Sequence, residues 1–263
     1  MKSKIGLALP LLLLTHAAFA GVVGRDIEYR AGDTMLKGWL AQDTAIKGQR
    51  AGILVVPEWW GANDYARQRA RMLAEHGYVA LVVDMYGNGK TVDNPKEAGE
   101  LSGEIGKHPD VALARFRAAE AVLMSQPEVK RGALGAYGYC FGGGVILNMA
   151  RAGEPLKAIA SFHGVLATEM KIKPGAVKTR MRIFTGEDDP VVPMAQVAAF
   201  KAEMDAAHVD YKVVTYPGAK HAFSNRAADS YAAQYQGLPI KYDATADADS
   251  WAQSLAFMKS VFK

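Results

Sequence analysis

At 263 residues, with 50% apolar and 22% charged side chains, the chain has the composition of a globular protein with a sizeable core, which excludes a disordered or fibrous one. Its formal net charge of +4 forms no basic stripe: Arg67, Arg69 and Arg71 share a predicted helix with Glu75, a solvated face, so no nucleic-acid partner is implied. A single cysteine excludes an internal disulfide.

Residues 1–20, MKSKIGLALPLLLLTHAAFA, have the form of a secretory signal. Lys2 and Lys4 are a basic front, Ile5 to Leu14 an apolar stretch, and Ala18-Phe19-Ala20 a small-x-small cleavage site. The apolar stretch is too short to span a bilayer, and Pro10 would disturb a core helix. The expected mature chain starts near Gly21, carries a net charge of +2 once Lys2 and Lys4 are gone, and is exported, to a periplasm or beyond, without a membrane anchor. Thiols in such a compartment are usually paired, so the lone Cys140 is either buried and inert or reactive.

Residues 21–263 read as a single α/β domain, because strand-type and helical runs alternate to the end without a linker or repeat. Ile27–Arg30 and Met35–Ala41 flank Ala31-Gly32-Asp33 as an antiparallel hairpin. Continuous apolar runs then predict strands buried on both faces at Ile53–Pro57, Val79–Asp84, Ala133–Tyr137, Ala158–Phe162, Arg182–Thr185 and Tyr211–Tyr216. Helices are predicted over Asn63–His76, Asp110–Ser125, Pro193–Ala207 and Ser250–Phe262, with a further one after Cys140. Tyr86–Pro109 and Ser224–Asp249 have no clear period and read as irregular loops, of the kind that form lids or line binding sites.

The chemistry concentrates at Gly138-Tyr139-Cys140-Phe141-Gly142-Gly143. Its spacing is that of a nucleophile elbow, G-x-S-x-G, with cysteine in place of serine. A strand turning sharply into a helix strains the nucleophile's backbone, and flanking glycines leave room for the close approach. The helix that follows aims its first N–H groups at the thiol, which favours thiolate and steadies an oxyanion. In the chain order of such hydrolases an acid and then a histidine follow at later strand ends. Gly186-Glu187-Asp188-Asp189-Pro190 offers the acid: Asp189, held extended by Pro190, is preferred, with Asp188 as the alternative. Pro217-Gly218-Ala219-Lys220-His221 offers the base, His221; His163, at the end of another strand, is the second choice. Val56-Pro57-Glu58-Trp59-Trp60 puts Glu58 at a strand end, where the Trp59 N–H could serve an oxyanion and the carboxylate could take the thiol proton.

Taken together, GYCFGG, the Glu58 strand end, Asp189 and His221 resemble the dienelactone hydrolase family, over roughly Ile27 to Phe262. The resemblance implies an α/β-hydrolase fold, a doubly wound and mostly parallel sheet flanked by helices. It also implies a Cys140, His221 and Asp189 triad, Glu58 interacting with and activating the thiol, and an oxyanion hole from the Trp59 and Phe141 N–H groups. The implied partner is a small ester, lactone or thioester substrate, and no metal or organic cofactor is implied. Members that cleave dienelactone grip its carboxylate with two arginines, and here the matching places are Asn88 and Asn225. Lys90 and Arg226 are the nearby cations, and Tyr86 and Trp60 the aromatic groups, that could contact substrate instead. Two other readings compete: a non-catalytic exported protein whose ligand cleft is lined by Trp59, Trp60 and Tyr86, and a redox role for Cys140, which lacks a resolving cysteine.

Overall fold

A computed structural model describes residues 21–170, 172 and 175–263. The expected signal, residues 1–20, lies outside the described residues. Among the described residues no helix is long and apolar enough to cross a membrane.

The chain opens with the hairpin of β1 (Val22–Ala31) and β2 (Thr34–Asp43), then alternates strand and helix. In chain order these are β3 (Arg50–Val56), α1 (Asp64–Glu75), β4 (Val79–Val82), α2 (Pro95–Lys107), α3 (Pro109–Met124), β5 (Val129–Tyr139) and α4 (Phe141–Arg151). Then come β6 (Ala158–Phe162), β7 (Arg180–Gly186), α5 (Met194–Ala206), β8 (Tyr211–Tyr216), α6 (Ala228–Gln234) and α7 (Ala244–Val261). The eight strands form one sheet in the order β1-β2-β4-β3-β5-β6-β7-β8. β1, β2 and β4 pair antiparallel, and every pair from β4 to β8 is parallel. The chain crosses from β3 to β4 on one side and then from β4 back past β3 to β5, so the direction of winding reverses at β3 and a crevice opens at the carboxyl ends of β3 and β5. Glu58 follows β3 and Cys140 follows β5, and both therefore sit at that crevice.

Core side chains cover both faces of the sheet. One face packs Phe116 of α3, Ile146 of α4 and Phe200 of α5 over Leu54, Leu81, Ala136 and Ile183. The other packs Leu73 of α1 and Phe257 of α7 over Ile53, Val82, Tyr137 and Phe184. With apolar side chains buried on both faces, the central strands read as unbroken apolar runs, as expected of a parallel sheet.

Three helical segments differ from the sequence expectation. Tyr86–Pro109 is not irregular throughout, because α2 occupies its second half, capped by Asn94 Oδ1 accepting from the Glu97 N–H at 2.9 Å. Its glycines at 99, 103 and 106 dilute the helical pattern. Within Ser224–Asp249, α6 is a short helix, and α7 begins at Ala244, six residues before the predicted start. Polar spacing hides that first turn, yet Asp247 is inward because Arg69 reaches it at 2.5 Å. Asp243 caps the helix from the Thr245 and Ala246 N–H groups.

Glycines permit the closest approaches around Cys140. A Cβ on Gly142 would run into the carbonyls of Val56 and Pro57, and one on Gly138 into the Gly142 backbone. The Gly142→Ala chain should therefore unfold about 3 kcal/mol more easily, a drop of roughly 10 °C in thermal melting for a domain of this size.

Candidate active site

Cys140 follows β5 and precedes the first residue of α4, with φ 52° and ψ −116°. Left-handed φ on a side chain other than glycine carries a strain of roughly 1–3 kcal/mol that its surroundings must hold. The Cys140 N–H does so by donating to Phe162 O at 3.0 Å and to His163 Nδ1 at 3.2 Å, and Gly142 N–H ties the turn to Pro57 O at 3.1 Å. The thiol is half-buried and faces His221, whose Nε2 lies 3.0 Å from Sγ. His221 Nδ1 lies 2.8 Å from Asp189 Oδ2. The other oxygen of Asp189 accepts from the Val191 and Val192 N–H groups, so the carboxylate is locked in place. Of the two adjacent aspartates, Asp189 is buried against His221, and Asp188 is exposed.

His163, the alternative base, is fully buried with φ 40°, and its hydrogen bonds go elsewhere. Nδ1 accepts from the Cys140 backbone, so Nε2 carries the proton and donates to Ser224 Oγ at 2.7 Å. Burial foremost, then the charges of His221 and Arg69, push its pKa well below the usual histidine range. A neutral His163 thus supports the turn, and His221 alone of the two meets the thiol. Burial by itself would lower His221 as well, but Cys140 and Asp189 outweigh it and push its pKa up to about 10.

Glu58 is 2% exposed. Oε2 accepts from Asn225 Nδ2 at 2.6 Å, whereas Oε1 has no partner among the described residues. Burial pushes its pKa from 4.5 up to about 7, with Asn225, His221 and Arg69 holding it lower than burial alone would. Asn225 thus stands on Glu58, a task that its place four residues after His221 does not announce. Ser224 is likewise invisible as a site residue in the sequence: it accepts from His163, bonds Tyr65 Oη at 2.7 Å, and its carbonyl accepts from Arg69.

Trp59 and Phe141 flank the thiol, and among the described residues neither N–H donates to another protein group. Tyr86 stacks its ring on Phe141 and donates its hydroxyl to Trp59 O at 2.8 Å, so it buttresses both flanks. The loop bearing Tyr86 is pinned by Asp84, whose carboxylate accepts from the Lys37, Tyr86, Gly87 and Gly89 N–H groups. Asn88 occupies a left-handed position in that loop.

Two cavities meet at Cys140. One, of about 590 Å³, extends between α2 and α4 past Trp59, Phe141 and Val145. The other, of about 130 Å³, is bounded by Glu58, Trp60, His221, Leu238 and Ile240. Lys90 and Arg226 line neither: Lys90 is exposed and paired with Glu97 at 2.6 Å, and Arg226 lies over the Tyr242 ring beside a separate cleft. The neighbourhood in sequence that suggested them as substrate contacts does not become proximity to the thiol, because the side chains leave the two loops outward.

A family model for the dienelactone hydrolase family matches residues 36–262. The chain belongs to the dienelactone hydrolase family. Among solved structures, m3DLH superposes with a TM-score of 0.87 at 33% identity, covering 92% of this chain and 100% of that one. A dienelactone hydrolase-like promiscuous phosphotriesterase from metagenomic libraries gives 0.85 at 35%, with the same coverage. A Synechocystis sp. relative carrying a carboxymethylenebutenolidase name is 27% identical over 233 residues, 82% of this chain and 88% of its own. This dienelactone hydrolase family member is accordingly a carboxylic ester hydrolase with the α/β-hydrolase fold, rather than a non-catalytic binding protein on that fold.

The raised carboxyl of Glu58 has a defined stability signature. Between pH 4.5 and about 7 the folded chain retains a proton that the unfolded chain has lost, so the contribution is full below pH 4.5 and gone above about 7. Glu58→Gln removes this titration. Its stability relative to the parent should therefore rise by about 3 kcal/mol between pH 4 and pH 9, measured by urea unfolding across that range.

Proposed function

We propose that the protein hydrolyses esters, lactones or thioesters through a Cys140, His221 and Asp189 triad and an acyl-enzyme intermediate. The observation that carries this reading is the continuous chain from Sγ through both nitrogens of His221 to a carboxylate with no other freedom, at 3.0 and 2.8 Å. Sγ attacks the carbonyl carbon, a C–S bond forms, and the carbonyl electron pair moves to oxygen. That oxyanion accepts from the Trp59 and Phe141 N–H groups, and each such donor contributes about 3–4 kcal/mol of transition-state stabilisation. The C–O bond then breaks, and the alkoxide takes the proton from His221 Nε2. Water enters, gives a proton back to His221, and its oxygen displaces Sγ to release the acid.

The electrostatics suit a thiol nucleophile. A His221 raised to about 10 favours imidazolium, which is the form that must protonate the alkoxide. Asp189, turned away from solvent, stabilises that charge and fixes the ring. Glu58, poised at about 7, is the group we assign to interact with the thiol and to accept its proton when His221 is already charged.

Cys140→Ala should lower kcat/KM on p-nitrophenyl acetate by at least about 1000-fold. Asp189→Asn should lower it about 100-fold or more, and Asp188→Asn, at an exposed carboxylate, by less than about threefold.

We also propose export, with residues 1–20 as the signal. The composition of that segment supports it. Intact-mass measurement of the protein recovered from a periplasmic fraction should find Gly21 as the first residue, and retention of residues 1–20 on a cytoplasmic protein would rule it out.

A further inference from the structure

In acyl transfer the leaving oxygen has to lie within hydrogen-bond reach of the group that protonates it. His221 lines the cavity of about 130 Å³ and not the one of about 590 Å³, while Cys140 and Trp59 line both. A carbonyl held between Sγ and the Trp59 N–H therefore divides its substrate: the alcohol half extends under His221, and the acyl half extends away from it.

The two spaces differ in size and character. The smaller one, walled by Trp60, Leu238, Pro239 and Ile240, has less than a quarter of the volume of the larger. The larger one is walled by Ile105, Leu113, Val145, Met149 and Val165. No lysine or arginine lines it among the described residues, and Asp110 is the carboxylate at its wall, so a negatively charged acyl arm would meet no counter-charge there. Its depth depends on α2. Gly99, Gly103 and Gly106 present no side chains to it, and a Cβ at Gly103 or Gly106 would meet nothing within 4 Å. Glycines in a helix interior weaken the helix, and here their absence of side chains is what leaves the groove open.

We propose, resting on the catalytic reading above, that the preferred substrates are esters of a small alcohol with a long, uncharged, apolar acid, whose acyl chain lies in the groove between α2 and α4. Methyl octanoate and heptyl acetate test this directly, because they are isomers of equal apolar bulk that place the chain on opposite sides of the carbonyl. Acid release followed by titration should give a kcat/KM for methyl octanoate about tenfold or more above that for heptyl acetate. Gly103→Leu, which fills the groove from a position with free space, should bring the ratio toward one, with its melting temperature showing that the chain is folded. A ratio of one or below in the parent chain, or a ratio that Gly103→Leu leaves unchanged, would overturn the proposal. Cys140-dependent turnover of p-nitrophenyl acetate reports on the nucleophile separately. If that turnover is present and the isomers are cleaved equally, only the placement of the acyl arm fails; if it survives Cys140→Ala, the catalytic reading fails and this one with it.

Discussion

The left-handed backbone of Cys140 is the constraint on which the rest of the site depends. At φ 52° the residue can neither continue β5 nor enter α4 in the ordinary way, so Sγ is thrust out at the carboxyl edge of the sheet. Holding that geometry requires the Phe162 carbonyl and the His163 ring on one side and the Pro57 carbonyl on the other. It also requires chain crossings too tight for any Cβ, at Gly138, Gly142, Gly143 and Gly164. The same turn leaves the Phe141 N–H at the start of α4 and sets it beside the thiol with Trp59.

Around that turn several buried polar and charged side chains are paired with one another. Arg69 answers Asp247 and the Ser224 carbonyl, Ser224 answers His163, Asn225 answers Glu58, and Asp189 answers His221. The outcomes differ because the partners differ. His163 hydrogen-bonds only neutral groups and is held neutral by burial and by the nearby charges of His221 and Arg69, whereas His221 lies between two acidic groups and is driven upward. Two histidines whose ring centres are 5.3 Å apart thus carry opposite charge preferences, and burial alone would have treated them alike.

Much of this architecture was legible from one-dimensional pattern. β6 and β8 occupy the expected residues, and the Asn63 cap of α1 is where the spacing put it. Period and capping chemistry are local properties, so they survive in the sequence. The glycine-flanked Cys140 and the later positions of Asp189 and His221 were legible for a similar reason, since strand ends of a parallel sheet collect on one edge. α2 and the first turn of α7 were not legible. Glycines in α2 serve a groove rather than a helix, and Asp247 in α7 is buried by a partner 178 residues away.

By itself, then, the sequence determined the alternation of strands and helices, the strained turn at Cys140 and the order of the polar strand ends, because backbone sterics and periodicity act between near neighbours. Only the tertiary structure decided that Asp189 rather than Asp188 faces His221, that His163 supports the backbone instead of the thiol, and that Asn225 holds Glu58. It alone decided that Lys90 and Arg226 turn away from the cavities at Cys140. Those outcomes depend on which side chains meet across the crevice after the sheet has closed, and on the loss of water there, neither of which is a property of any stretch of chain.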